Sequence, residues 1–213
     1  MNMHKKIAVW DIPIRVFHWL LVLCFAGAWL SAESEKYQLI HYAFGYTAGA
    51  LVIFRIIWGF IGTRYARFYD FIKGPKAILA HFKQTLSGQH STHYTGHNPA
   101  GAWVMVLLML LMLAIVLTGY WNVKELFGDT AEELHEALAN VMLALIGLHI
   151  TAAIVMSFLE NQNLVKAMVT GKKLGNAANG IRSQKVIVGI CLLLSSVTFF
   201  WATAIGLFPS LIS

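Results

Sequence analysis

"IPIRVFHWLLVLCFAGAWL", residues 12–30, is long and apolar enough to cross a bilayer as one helix, yet it carries His18 just behind Arg15 and ahead of Trp19. A membrane span needs roughly 20 apolar residues. A polar ring inside one costs free energy unless a partner or a ligand compensates it. The same length criterion marks five spans, at residues 13–32, 39–62, 100–121, 134–159 and 186–208. The expected fold is therefore an all-α integral membrane protein.

Composition agrees. The 213 residues are 58% hydrophobic and only 12% charged, against about 25% charged in a soluble domain. The net charge of +6 does not imply nucleic acid, because the basic residues form no single patch and follow the membrane topology instead. Cys24 and Cys191 both fall within apolar spans and no CxxC occurs, which argues against a disulfide framework. The first span exceeds a signal-peptide core and no Ala-x-Ala cleavage site follows it, so it reads as a retained helix.

Lysine and arginine set the orientation. Thirteen lie in the N-terminus, the second connection and the fourth, whereas the other connections hold only Lys36 and Lys124 among acidic residues. This asymmetry predicts a cytoplasmic N-terminus and, after five spans, a periplasmic C-terminus. Residues 63–99 form the one substantial connection. Within it, Pro75, followed by Ile78, Leu79, Phe82 and Leu86 with Lys76 and Lys83, predicts an amphipathic helix on the inner leaflet. Gly, Asn and Ser between residues 171 and 183 read as a flexible linker to the fifth span.

Four of the nine histidines, His18, His41, His135 and His149, sit in or at the rim of spans. His135 and His149 lie 14 residues apart on one helix, a spacing that returns to within roughly 40° of the same face about 21 Å further on. Topology then pairs His18 with His149 on the inner side and His41 with His135 on the outer side. The outer depths match. His149 reads as deeper than His18 unless its helix protrudes into the cytoplasm.

Two neutral imidazoles from facing helices are axial ligands for a six-coordinate haem iron. Gly45 and Gly49 follow His41 at four and eight positions and would let a flat macrocycle approach the backbone. Arg55, again on the face of His41, and Arg15, three residues before His18, are candidates for haem propionates. Competing readings exist for each. A lone intramembrane histidine is more often a packing or proton-relay residue, Gly45 and Gly49 alone would be ordinary packing residues, and Arg55 alone could snorkel. Zinc fits less well, because it wants three or four ligands together.

"RVFHWLL", "IHYAFGYTAGALVIFRIIWGFIG", "GHNPAG", "ELHEALAN" and "IGLHI", in this order and spacing, resemble the bacterial cytochrome b561 family, grouped with the b-type cytochrome subunits of nickel–iron hydrogenase and formate dehydrogenase. The resemblance covers the first four spans. It implies a four-helix bundle at residues 1–173, holding two haems b on the paired histidines as iron ligands. Residues 174–213 add a linker and a fifth transmembrane helix that departs from the basic pattern. It further implies electron transfer in a respiratory chain of the cytoplasmic membrane, between quinone and either a cytochrome c or an oxidoreductase subunit. Membrane lipid is the surrounding partner, and a homodimer is an alternative assembly.

The remaining histidines divide. His90, His93 and His97 are spaced by three and four residues, but Gly and Pro break the segment, so solvation is the simpler reading. Asn98-Pro99 has the pattern of an N-cap followed by proline, while quinone-linked relatives make His97 and Asn98 candidates for a quinone carbonyl. His4 and His81 are expected to face solvent or headgroups. Met105, Met109 and Met112 form a packing stripe. Two other functions compete with the carrier: a stand-alone oxidoreductase that oxidises a small reductant or superoxide with quinone as acceptor, and a histidine-based proton or metal transporter. No intramembrane carboxylate supports the transporter.

Overall fold

The computed structural model describes residues 5–87 and 94–212. The expectations for His4, His90 and His93 fall outside the described residues, as does that for the His81 side chain.

The chain opens with β1 (Lys5–Ala8) and enters α1 (Ile12–Ser31) through Asp11, whose Oδ1 accepts from the Ile14 N–H at 2.9 Å. Pro13 in the first turn has no N–H left to satisfy. A 3₁₀ turn at Glu35–Tyr37 leads into α2 (Gln38–Ile61), then α3 (Phe68–Phe71) and α4 (Pro75–Leu86). Helix α4 begins at Pro75 as the sequence predicts, and it packs on α5 (Pro99–Val123), where the Trp103 indole donates to the Lys73 carbonyl at 2.9 Å. Asn98 caps α5 by accepting from the Gly101 N–H at 2.7 Å. Then follow α6 (Asp129–Leu159), α7 (Leu164–Thr170), β2 (Lys172–Gly175), α8 (Val186–Ala204) and α9 (Pro209–Ile212).

Among the described residues, five helices are long and apolar enough to cross a membrane: α1, α2, α5, α6 and α8. The protein is thus a multi-pass all-α membrane protein. Helix α6 starts five residues earlier than the hydropathy predicts. Its 31 residues run about 46 Å at 1.5 Å each, well beyond a hydrocarbon core of about 30 Å. The extra turn carries the exposed Asp129, Glu132 and Glu133, whose charge ends a hydropathy window but not a helix.

Helix α1 packs on α2 and α5 packs on α6, the two pairs meet where α2 touches α5, and α8 lies against α1 and α2. Phe17, Leu51, Val52, Met109, Met112, Ile115, Met142 and Leu192 form the shared core. Leu192 comes from α8, so the fifth span belongs to the bundle rather than hanging from it. Met109 and Met112 pack here, as their helical spacing predicts.

Residues 171–183 are not the flexible linker that their Gly, Asn and Ser content suggests. Strand β2 pairs antiparallel with β1, Lys5 opposite Gly175 and Ala8 opposite Lys172, and so crosses the division expected after residue 173. Gly171, at φ 76°, ends α7 in the left-handed region, and its carbonyl accepts from Val9 N–H at 2.8 Å and Trp10 N–H at 3.1 Å. Further along, Ile181 N–H donates to Ala8 O at 2.8 Å and the Tyr65 hydroxyl to Asn179 O at 2.7 Å. The physical reason is that the residues that make linkers also make turns and caps, and backbone groups buried beside Ile7, Val9 and Trp10 must find partners. At the opposite end of the bundle, the Tyr46 hydroxyl holds the Leu211 carbonyl of α9 at 2.6 Å.

Candidate haem-binding sites

His41 of α2 and His135 of α6 face each other with ring centroids 6.0 Å apart and planes at 74°. Metal–imidazole bonds are about 2.0–2.1 Å long, so two imidazoles sharing one iron have centroids about 6 Å apart. The Nδ1 atoms are fixed from outside the pair. His41 Nδ1 is 2.9 Å from the Ala28 carbonyl of α1, and His135 Nδ1 is 2.9 Å from the Ile115 carbonyl of α5. A carbonyl only accepts, so each Nδ1 carries the proton and each Nε2 keeps its lone pair for a metal. This is the supporting hydrogen bond that orients ligating histidines.

A residue that sequence reasoning missed makes room for that ring. A Cβ on Gly119 of α5 would stand 2.9 Å from His135 Cε1 and 3.1 Å from Nδ1. The only sequence signal is a glycine inside a span, with nothing to name its neighbour. Gly119→Val is expected to push the ring off its carbonyl at an overpacking cost of about 1–3 kcal/mol, weakening haem retention at this pair about tenfold. The haem-to-protein ratio after purification checks this, and an unchanged ratio would exclude the role.

The other pair differs. His18 of α1 and His149 of α6 lie within electrostatic reach of one another, and α6 continues ten residues past His149, to Leu159. His18 Nδ1 is shut off from solvent with no hydrogen-bond partner, unlike its counterparts at the far pair.

Arg55 does not snorkel. It is 1% exposed, its Nη2 rests 3.7 Å from Met105 Sδ, and Nη1 has no partner. Its guanidinium stands 5.0 Å from the Phe68 ring centre and 5.9 Å from that of Phe71. The ion pairs among the described residues, Arg67–Asp70 and Lys173–Glu160, do not include it. A buried cation without a hydrogen-bonded anion is costly by several kcal/mol, which suits a propionate. Arg15 is partly committed: Nη2 donates to the Val169 carbonyl, while Nε is buried and unpartnered. A Cβ on Gly45 or on Gly147 would meet no atom within 4 Å, whereas one on Gly49 would meet Val116 Cγ1 at 3.0 Å. Gly45 therefore presents a bare face to the space beside His41, and Gly49 serves the contact between α2 and α5. Among the described residues no three His, Cys, Asp or Glu side chains gather as ion ligands. The residues fit a haem: two facing imidazoles with free Nε2, a bare glycine face and a buried guanidinium whose Nη1 has no hydrogen-bond partner.

Toward the β1–β2 end, the His97 ring lies between Trp10 and Phe71, at 4.6 and 4.8 Å between centroids. Burial pushes its pKa down to about 3, helped by the charges of Arg55 and Lys173 and by His149, so the ring is neutral at physiological pH. Asn98 spends its Oδ1 on the cap of α5. His97 borders a cavity of about 210 Å3 that Tyr65, Phe71, Lys73, Tyr94 and Asn179 also line. Lys173 clamps this segment from below: Nζ donates to the Tyr94 carbonyl at 2.7 Å and lies 3.8 Å from Glu160. Burial lowers the Lys173 pKa, an effect Glu160 opposes.

Asp11 is the second residue the sequence reading passed over. It is fully buried, and beyond its cap its Oδ2 accepts from Trp58 Nε1 at 3.0 Å and Thr63 Oγ1 at 2.7 Å. It ties the start of α1 to the end of α2. Asp followed by Ile-Pro was a legible N-cap signal; its tertiary bonds were not.

A protein from Rhizobium leguminosarum bv. viciae named probable Ni/Fe-hydrogenase B-type cytochrome subunit is 22% identical, over 80% of this chain and 90% of its own. One so named from Bradyrhizobium diazoefficiens is 23% identical over 78% and 85%. The probable Ni/Fe-hydrogenase 1 B-type cytochrome subunit of Escherichia coli (strain K12) is 25% identical over 53% and 58%. The family profile described as prokaryotic cytochrome b561 matches residues 9–171, the part of the chain that holds α1, α2, α5 and α6 with His18, His41, His135 and His149. With that span matched and b-type haem implied, the chain belongs to the prokaryotic cytochrome b561 family.

Proposed function

We propose that this chain is a di-haem b cytochrome that carries electrons across the cytoplasmic membrane between the quinone pool and a hydrogenase-type oxidoreductase. The single observation that carries the haem reading is the His41–His135 geometry: rings 6.0 Å apart, each with Nδ1 held by a carbonyl of a neighbouring helix. The names of the relatives support the partner class.

Bound haem would supply reversible one-electron chemistry at iron; everything else is the work of this chain. His41 with His135, and His18 with His149, would provide the axial nitrogens. The core of Phe17, Leu51, Met109, Met112 and Met142 excludes water between the two levels. Arg55 would neutralise a propionate in a low-dielectric setting. The neutral His97 beside the 210 Å3 cavity offers a donor to a quinone carbonyl. The lysine and arginine asymmetry supports a cytoplasmic His18–His149 end and a periplasmic His41–His135 end.

Reduced-minus-oxidised spectra of the purified membrane protein test the reading. Two b-type contributions per chain are expected, distinguishable by stepwise redox titration. A protein that purifies folded but without b-type absorption would end it.

A further inference from the structure

We propose a quinone-headgroup site at the bilayer midplane, between α2 and α8, the second of which lies beyond the residues that the family profile matches. A cavity of about 300 Å3 opens there, within the size range of small-molecule sites. Thr47, Leu51, Leu192 and Ser196 form its buried floor, Ala50 and Ser195 its exposed mouth, and Phe54 and Phe199 flank it.

The decisive residue is Thr47. Five helical serines and threonines elsewhere in this protein return their hydroxyl to the carbonyl four residues back, Ser31 to Gly27, Thr118 to Ala114, Thr151 to Gly147, Ser157 to Ala153 and Thr203 to Phe199, and Ser195 at the cavity mouth returns its own to Leu192, three back. Thr47 is 3% exposed and makes no such bond; its Oγ1 is buried without a partner at the cavity. An unmatched hydroxyl in an apolar surrounding costs free energy and calls for an acceptor or donor from whatever fills the space.

Depth selects the occupant. Thr47 to Phe54 and Leu192 to Phe199 are the middle segments of their helices, so the cavity lies about 15 Å from either edge of the hydrocarbon core. Phospholipid ester carbonyls sit at those edges, and acyl chains carry no acceptor. A molecule that brings a carbonyl to the midplane must be neutral, lipid-soluble and free of an anchored headgroup. An isoprenoid quinone meets all three conditions, with a flat ring to lie between Phe54 and Phe199 and a carbonyl to accept from Thr47. The exposed mouth at Ala50 and Ser195 faces lipid and admits it sideways. The choice of quinone rests on the electron-transfer reading above; the cavity does not.

The test uses haem-loaded full-length protein in phosphatidylcholine nanodiscs and a photoreactive azido-benzoquinone with a decyl tail. Labelled peptides are mapped by mass spectrometry, with unlabelled decyl-ubiquinone as competitor. Competable label on residues 47–54 or 192–199 is expected. Thr47→Val should weaken it about three- to tenfold, the worth of one net hydrogen bond, while Thr47→Ser should retain it. Ala50→Phe, at the exposed mouth, should block it. Haem difference spectra of all three variants should stay those of the parent. Label confined to the His97 region, equal labelling of Thr47→Val, or competition by hexadecane as strong as by decyl-ubiquinone would each overturn the site. Loss of b-type absorption in the parent protein would instead sink the haem reading and leave the labelling result to stand or fall by itself.

Discussion

His135→Ala protein, purified with haem supplied in excess, is expected to hold about one haem per chain where the parent holds two, and to lose one of two steps in a redox titration. The expectation follows from how little else can hold an iron at that end. His41 and His135 face each other there, their Nε2 atoms are left bare by the Ala28 and Ile115 carbonyls, and among the described residues no third ligand gathers beside them. One imidazole cannot keep a six-coordinate iron, and the surrounding apolar contacts supply packing but not ligation. His41→Ala should match His135→Ala in haem content, because both remove half of one site, and the double variant should be no worse than either single one. Retention of two haems by either single variant would show that the pairing is wrong. His135→Ala losing both haems would show that the two levels fold as one unit.

Asp11→Ala is expected to be the most destabilising single change outside His18, His41, His135 and His149. The carboxylate, 0% exposed, caps α1 and accepts from Trp58 and Thr63. Its removal leaves buried donors unmatched at about 1–3 kcal/mol each and forfeits a cap worth about 1 kcal/mol. The total, about 3–7 kcal/mol, corresponds in a chain of this length to a fall in thermal midpoint on the order of 10 °C or more. Asp11→Asn keeps an acceptor oxygen for the cap and should lose distinctly less. A thermal midpoint for Asp11→Ala equal to that of the parent would mean that the junction between α1 and α2 is held by packing of Ile14 and Trp58 alone.

The five spans were legible because an apolar run of twenty residues has few other fates in water or lipid, and helical periodicity carried His135 and His149 to one side of α6. Asn98-Pro99 announced the start of α5 for an equally local reason. Helix ends were less legible where charge and helix overlap, as at Asp129 to Glu133 of α6. The pairing of residues 5–8 with 172–175 had no local signal at all, since it joins segments more than 160 residues apart through backbone groups that every residue type possesses.

By itself, then, the amino-acid order determined the number of spans, the family pattern and the set of imidazoles available, because hydropathy and period are properties of neighbours along the chain. Tertiary structure alone decided the rest. It selected which carbonyls hold His41 and His135, made Gly119 the residue that lets a ring pass, turned Arg55 inward away from water, and left Thr47 facing a cavity instead of its own helix. Each of these depends on the rotation of one helix against another, and that rotation is set by the whole packed interface, not by any stretch that can be read in isolation.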